Sequence, residues 1–274
     1  MAIDGAPRAV ADGRLAPTAR YDSLRSALRS SPRVLGHPVW SGAYAVALAE
    51  LLDAAQRRIG GSAYFCNVHM AVEAVRNRVL GKALARSEWV FPDGVPLVAA
   101  LRLLGQRRAQ RVAGMDAVPD LCRAAAARGL RVFFYGSDAR TLSALRLRLS
   151  VIAPDLDIAG MISPPYRALS EAEEAAHLAE IEASGAHLCF VGLGCPKQEL
   201  WIARNRARTG AVLLGVGAAF STTAGNMTMA PAWMRDGGLE WAYRLAQEPG
   251  RLWRRYAQTN PLFVNRLLRQ LWAR

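Results

Sequence analysis

Short apolar runs alternate with helix-period stretches along the chain from about Val34 onward. The runs Arg33–Leu35, Ala63–Asn67, Trp89–Phe91, Arg131–Tyr135, Asp157–Met161, His187–Gly192 and Ala211–Val216 predict strands. Between them, Ala43–Arg58, His69–Ala85, Pro96–Leu104, Met115–Arg128, Ala139–Ser150, Ser170–Ala183, Pro196–Arg208 and Leu239–Leu245 predict helices. Strands that alternate with helices of this length form parallel βαβ units. Val132-Phe133-Phe134-Tyr135 and Val212-Leu213-Leu214 are apolar at every position, which fits strands buried on both faces.

The pattern changes near Pro231. From Leu239 to Arg274, seven arginines stand against Glu240 and Glu248, a net +5. Trp241, Trp253 and Trp272 fall in the same stretch, with Trp233 just before it. Val264, Leu267, Leu268, Leu271 and Trp272 keep helical spacing, with Arg266, Arg269 and Arg274 interleaved. Such a basic amphipathic helix either docks on the core with its arginines outward or lies on an anionic membrane surface. The chain thus divides into a tail over 1–20, expected to be disordered, an α/β domain over 21–235 and a basic helical appendage over 236–274. The tail has no apolar segment of the kind a secretory signal needs. The longest clean apolar run, Ala211–Phe220, is ten residues, too short to span a bilayer.

Charge sharpens this picture. The chain has a formal net charge of +13, which attracts nucleic acid, anionic lipid or phosphorylated substrates. Only Lys82 and Lys197 are lysines among 35 basic residues. A lysine that persists among so many arginines draws attention to Lys197, where a compact ammonium suits a phosphate. Cys66, Cys122, Cys189 and Cys195 form no CxxC pair and no zinc pattern, and read as reduced thiols in a cytosolic protein.

Two strand–Gly–helix transitions carry candidate chemistry. One is Val132-Phe133-Phe134-Tyr135-Gly136-Ser137-Asp138. The other runs from Leu188 through Gly192-Leu193-Gly194-Cys195-Pro196-Lys197-Gln198-Glu199. In an open parallel sheet, ligands bind beyond the carboxyl ends of the strands, where helix N-termini face anions. Gly136, Ser137, Gly194 and Lys197 are therefore candidate contacts for a nucleotide diphosphate. Neither stretch is a GxGxxG, and no P-loop is present, which disfavours a nicotinamide-dependent oxidoreductase. Phe91-Pro92-Asp93-Gly94 ends another strand, so Asp93 sits on a turn at the same crest, where a carboxylate can serve as general base or simply as a turn residue. Asp155-Leu156-Asp157 reads as a loop on the opposite side, and His69 opens a helix near the crest.

The motifs in combination resemble the WecG/TagA/CpsF family of glycosyltransferases over residues 33 to the end. They are Asn67, Phe91-Pro92-Asp93-Gly94, Arg111-Val112-Ala113-Gly114-Met115-Asp116, the Gly192–Glu199 block, Gly215-Val216-Gly217-Ala218-Ala219-Phe220, Ala230-Pro231-Ala232-Trp233-Met234 and the Gly238–Pro249 block. The resemblance implies a Rossmann-like, mostly parallel sheet flanked by helices. It implies a bacterial enzyme of surface-polysaccharide assembly that moves a hexose-type sugar (glucose, N-acetylmannosamine or its uronic acid) from a UDP donor to a polyprenyl-diphosphate-linked sugar. The expected reaction inverts the anomeric centre, without metal or other cofactor, on the inner face of the cell membrane. The implied catalytic residues are Asp93 as base, with Asn67 and Arg111. Gln198 and Glu199 belong to the implied substrate-binding block, and Arg244, Arg251, Arg254 and Arg255 to the appendage that closes over the diphosphate. Partners are then the UDP-sugar, the lipid-linked acceptor and an anionic membrane surface, with no nucleic acid, and a homo-oligomer is compatible. Three positions depart from the pattern: Phe65 where Thr is common, Ser221 where Asp is usual, and Met229 where Arg is usual. The runner-up reading is a non-catalytic nucleotide- or nucleic-acid-binding α/β protein.

Overall fold

The computed structural model describes residues 31–273, without the side chains of Asp236 and Arg251. The expected N-terminal tail lies outside the described residues. Arg33–Val34 (β1) and His37–Pro38 (β2) form a small antiparallel hairpin. The first predicted strand is therefore separate from the main sheet: two paired residues are too few to span it.

Six further strands, Ser62–Cys66 (β3), Trp89–Pro92 (β4), Val132–Gly136 (β5), Ile158–Ile162 (β6), Leu188–Gly192 (β7) and Val212–Gly215 (β8), form one sheet in the order β4-β3-β8-β7-β5-β6. Every ladder in that sheet is parallel. The fold class is as the resemblance implied. Successive side chains on a strand point to opposite faces, so Phe133 and Tyr135 join one apolar cluster and Phe134 the other. Phe134 stacks on Phe190 at 5.2 Å and meets Phe220 edge-on at 5.5 Å. The edge strand β6 is only half-buried.

Helices Tyr44–Gln56 (α1), Val68–Arg76 (α2), Arg78–Ala85 (α3), Val95–Leu103 (α4), Gly114–Ala127 (α5), Ala139–Ile152 (α6), Glu171–Ala183 (α7) and Lys197–Asn205 (α8) connect the strands. The predicted helix over His69–Ala85 is two helices. Asn77 ends α2 in an extended conformation, and its side chain accepts from the N–H groups of Val79 and Leu80, capping α3. Asp138 caps α6 through the Thr141 N–H at 2.8 Å. Asp155 and Asp157 lie just before β6, at the amino ends of the strands, where Asp157 accepts from Arg131 Nε at 2.9 Å.

Four helices complete the chain: Ala219–Thr223 (α9), Ala232–Asp236 (α10), Glu240–Gln247 (α11) and Pro249–Trp272 (α12). The predicted apolar stripe on α12 divides between two faces. Leu267 of that stripe enters the core beside Met70 and Ala71 of α2, together with Phe263 from outside it, and burial of each contributes roughly 1.5–3 kcal/mol. Gln270 fastens the same face to the hairpin, accepting from Leu35 N–H at 2.9 Å and donating to the Arg33 carbonyl at 2.6 Å. Val264, Leu268 and Trp272 point outward and are exposed.

Where β5 and β7 end side by side, Gly136 has φ +119°, and a Cβ there would stand 2.6 Å from the Gly192 backbone. Gly129 also has positive φ, at +63°, but open space around it. Strain of this kind costs about 1–3 kcal/mol per residue. Gly136→Ala should therefore lose at least that much stability, and more than Gly129→Ala, in urea denaturation. Equal losses would mean that the two strand ends are not held as described.

Candidate active site

The carboxyl ends of β3, β4 and β8 and the loop after β7 meet α10, α11 and α12 around one cavity of about 430 Å³. From the sheet side it is lined by Asn67, Asp93, Gly194, Gln198 and Gly217. From the helical side come Arg235, Glu240, Trp241, Arg244, Arg255 and Tyr256. This is the edge of a parallel sheet at which ligands bind.

Asp93 is set in place by the backbone. Its N–H donates to the Cys66 carbonyl at 2.8 Å, and the Val112 N–H donates to the Pro92 carbonyl at 3.0 Å. The next residue, Gly94, has φ +114° and turns the chain at once into α4. Burial pushes the Asp93 carboxyl up to about 7, Arg111 and Arg244 pull it down, and Glu240 and Asp116 push it further up. A carboxyl with this value is part ionised at neutral pH, which suits a general base.

Arg111 stands behind Asp93 and ties the sheet to the C-terminal helices. It donates to Asp116 Oδ2 at 2.6 Å and to Glu240 Oε2 at 2.9 Å. Asp116 in turn accepts from Arg235 Nη1 at 2.8 Å. All four side chains are between 17% and 25% exposed, so solvent screens these pairs only in part. Asn67 caps α2, its Oδ1 accepting from Met70 N–H at 3.1 Å. His69 follows it on the cavity wall, and burial with the charges of Arg255 and Arg76 lowers its pKa to about 4. The imidazole is therefore neutral at working pH and cannot share the cationic role of the arginines.

The remaining expected residues divide. Gln198 lines the cavity and staples two of its loops, since its Oε1 accepts from the Gly194 N–H at 3.2 Å and the Gly217 N–H at 3.0 Å. Glu199 is fully buried behind it and lines no part of the cavity; the α8 turn that brings Gln198 forward carries its neighbour into the core. Lys197 is exposed at the start of α8, outside the cavity lining. Gly136 ends β5 and Ser137 follows it, beside the end of β7 and also outside the cavity lining, and the Ser137 N–H is engaged by the Gly192 carbonyl at 3.1 Å. Arg255 lines the cavity, whereas Arg254 is exposed over the Trp253 ring at 5.6 Å. The Arg251 side chain lies outside the described residues. Phe65 lines the cavity in place of the expected hydroxyl and packs on Phe91 at 5.6 Å. Ser221 and Met229 are not among the lining residues. Sequence reasoning missed Arg235, Tyr256, Thr259 and Asn260, which have no local signature. Glu240 sat in a recognisable block without an assigned role.

The sequence profile of the Glycosyl transferase WecG/TagA/CpsF family matches residues 32–274. The chain is 33% identical over 204 residues to an N-acetylglucosaminyldiphosphoundecaprenol N-acetyl-beta-D-mannosaminyltransferase of Bacillus spizizenii strain W23, covering 74% of this chain and 77% of the relative. It is 31% identical over 200 residues to the protein of the same description from Bacillus subtilis strain 168, covering 73% and 76%. These similarities displace both the non-catalytic and the oxidoreductase readings.

The Asp93 environment has a consequence for stability. Its carboxyl titrates near 7 when folded and near 3.9 when unfolded, so the folded state holds the proton more tightly. Stability from the neutral carboxyl is complete below about pH 4 and is lost as pH rises through 7. Asp93→Asn should match the wild type near pH 4 and exceed it at pH 8 by about 1–3 kcal/mol, at 1.36 kcal/mol per unit less the screening from cavity water. Chemical denaturation at both pH values measures this, and a variant no more stable at pH 8 than the wild type would contradict the assigned environment.

Proposed function

The chain belongs to the WecG/TagA/CpsF family of glycosyltransferases, and from that premise we propose that it moves N-acetylmannosamine from a UDP-linked donor to a polyprenyl-diphosphate-linked sugar. The activity named for the two Bacillus relatives supports this donor sugar and this class of acceptor. The observation that carries the reading is Asp93, a carboxyl tuned to about 7 on the wall of a cavity that also holds Arg235, Arg244 and Arg255.

The proposed reaction is one displacement with inversion. Asp93 takes the proton of the acceptor hydroxyl as its oxygen bonds to the donor anomeric carbon. The bond from that carbon to the UDP oxygen breaks, and the electron pair leaves with the β-phosphate. The charge that develops is met by Arg235, Arg244 and Arg255, which line the cavity before a ligand arrives. In this reading the neutralising charges are side chains rather than a metal ion. Arg111 acts through Asp93 and Glu240.

No helix among the described residues is long and apolar enough to cross a membrane. The acceptor is a lipid, so we place the enzyme at the membrane surface through its last helix, where Trp253 and Trp272 are 54% and 94% exposed. Basic residues near an anionic surface contribute roughly 1 kcal/mol each.

Two measurements test this. With a panel of UDP-sugars and a short-chain prenyl-diphosphate acceptor, UDP release should be fastest with UDP-N-acetylmannosamine and fall at least ~10²-fold in Asp93→Asn, the usual size of a general-base effect. Full turnover in that variant would remove Asp93 as base. In vesicle flotation the protein should bind anionic vesicles at low salt and release at 1 M salt, where the screening length is about 3 Å. Trp272→Ala with Arg269→Glu should weaken that binding; unchanged flotation would place the contact elsewhere.

A further inference from the structure

Gln198 and Glu199 are adjacent on α8, yet one faces the cavity and the other is in the core. Gln198 Nε2 donates to Glu199 Oε1 at 2.7 Å. A side-chain amide has one accepting and one donating end, and its orientation follows from its partners. Glu199 Oε1 accepts, so it takes the Nε2 end and leaves Oε1 to accept the N–H groups of Gly194 and Gly217 together. These glycines lie in the loops after β7 and β8, at φ +78° and +57°. With the amide reversed, both N–H groups would face a donor NH₂ and the two loops would separate.

Glu199 is 0% exposed. Burial pushes its carboxyl up to about 7, while the bonds from Gln198, its own backbone N–H and Cys195 draw it back. Its Oε2 receives no N–H or O–H among the described residues. A buried carboxyl with one oxygen unused by backbone or side-chain N–H groups is a costly way to fill space, since an apolar residue of similar volume is commonly as stable or more so. Among its bonds, the one to Gln198 reaches the residue that holds both loops.

We propose that Glu199 is a positioning residue for the donor: by fixing the Gln198 amide it sets the spacing of the Gly194 and Gly217 loops on the sheet side of the cavity, against which the UDP would seat opposite Arg235, Arg244 and Arg255. This rests on the proposed UDP site and deepens it. Glu199 touches no substrate and acts only through Gln198.

Calorimetric titration of UDP into the full-length protein tests the assignment, beside the thermal midpoint of each variant. Glu199→Leu should weaken UDP binding about tenfold or more without lowering the midpoint. Glu199→Gln, which can still accept from Nε2, should recover most of that loss. In a Gln198→Leu background, adding Glu199→Leu should weaken UDP no further, since the path through Gln198 is already cut. Unchanged UDP affinity in Glu199→Leu, or additive losses in the double variant, would overturn the assignment. A wild-type protein that fails to bind UDP would instead remove the donor site itself, and the inference with it. If Glu199→Leu fails to fold, Glu199→Met alone and in the Gln198→Leu background makes the same comparison: an unchanged UDP affinity in the single variant, or additive losses in the double, would overturn the proposal.

Discussion

Arg111 stands where the sheet meets the C-terminal helices, and with its two ion-pair partners it supplies most of the charge that, after burial, acts on Asp93. One arm holds Asp116 at the start of α5, the other holds Glu240 at the start of α11. Asp116 also binds Arg235 from α10, so two stretches far apart in sequence, 111–116 and 235–240, close around one carboxyl. The same contacts that fasten the helices over the cavity supply the charges that act on Asp93. Removing a partner from a half-buried network leaves an uncompensated charge behind, so the arrangement is held as a unit.

The sheet supplies the other half. Its parallel strands deliver Asn67, Asp93 and the Gly194 and Gly217 loops to one edge. Each is fixed by a local device: a helix cap for Asn67, two backbone bonds beside Asp93, and the Gln198 staple for the loops. Rigid elements below and ion-paired helices above leave a cavity whose charges are set before a ligand arrives, which is how an enzyme avoids reorganising its surroundings during reaction.

Much of this was legible in the sequence because strands buried on both faces leave an unbroken apolar signal. Asp93 was visible for a related reason: Pro-Asp-Gly after such a strand fixes both the turn and the edge. The break at Asn77 was less visible, since an Asn within a helical period looks like a surface position until its cap is seen. The division of α12 was hidden as well. Leu267 and Leu268 are adjacent, and only packing against α2 decides which one enters the core. Arg235, Tyr256 and Thr259 reach the cavity through tertiary placement alone. The scarcity of lysine drew attention to Lys197, which stands exposed outside the cavity lining, so rarity of a residue type did not mark a wall of the site.

The central claim is that Asp93 is a base whose strength burial raises and the C-terminal helices adjust through Glu240. The most direct test is the pH dependence of kcat/KM for the wild type and Glu240→Gln on the preferred donor and acceptor. The wild-type profile should rise to a plateau with a midpoint near 7, where the Asp93 carboxyl titrates. Glu240→Gln removes a negative charge that raises this value and frees Arg111 to attract Asp93, so the midpoint should move to lower pH. A midpoint that stays in place, or moves upward, would contradict the account.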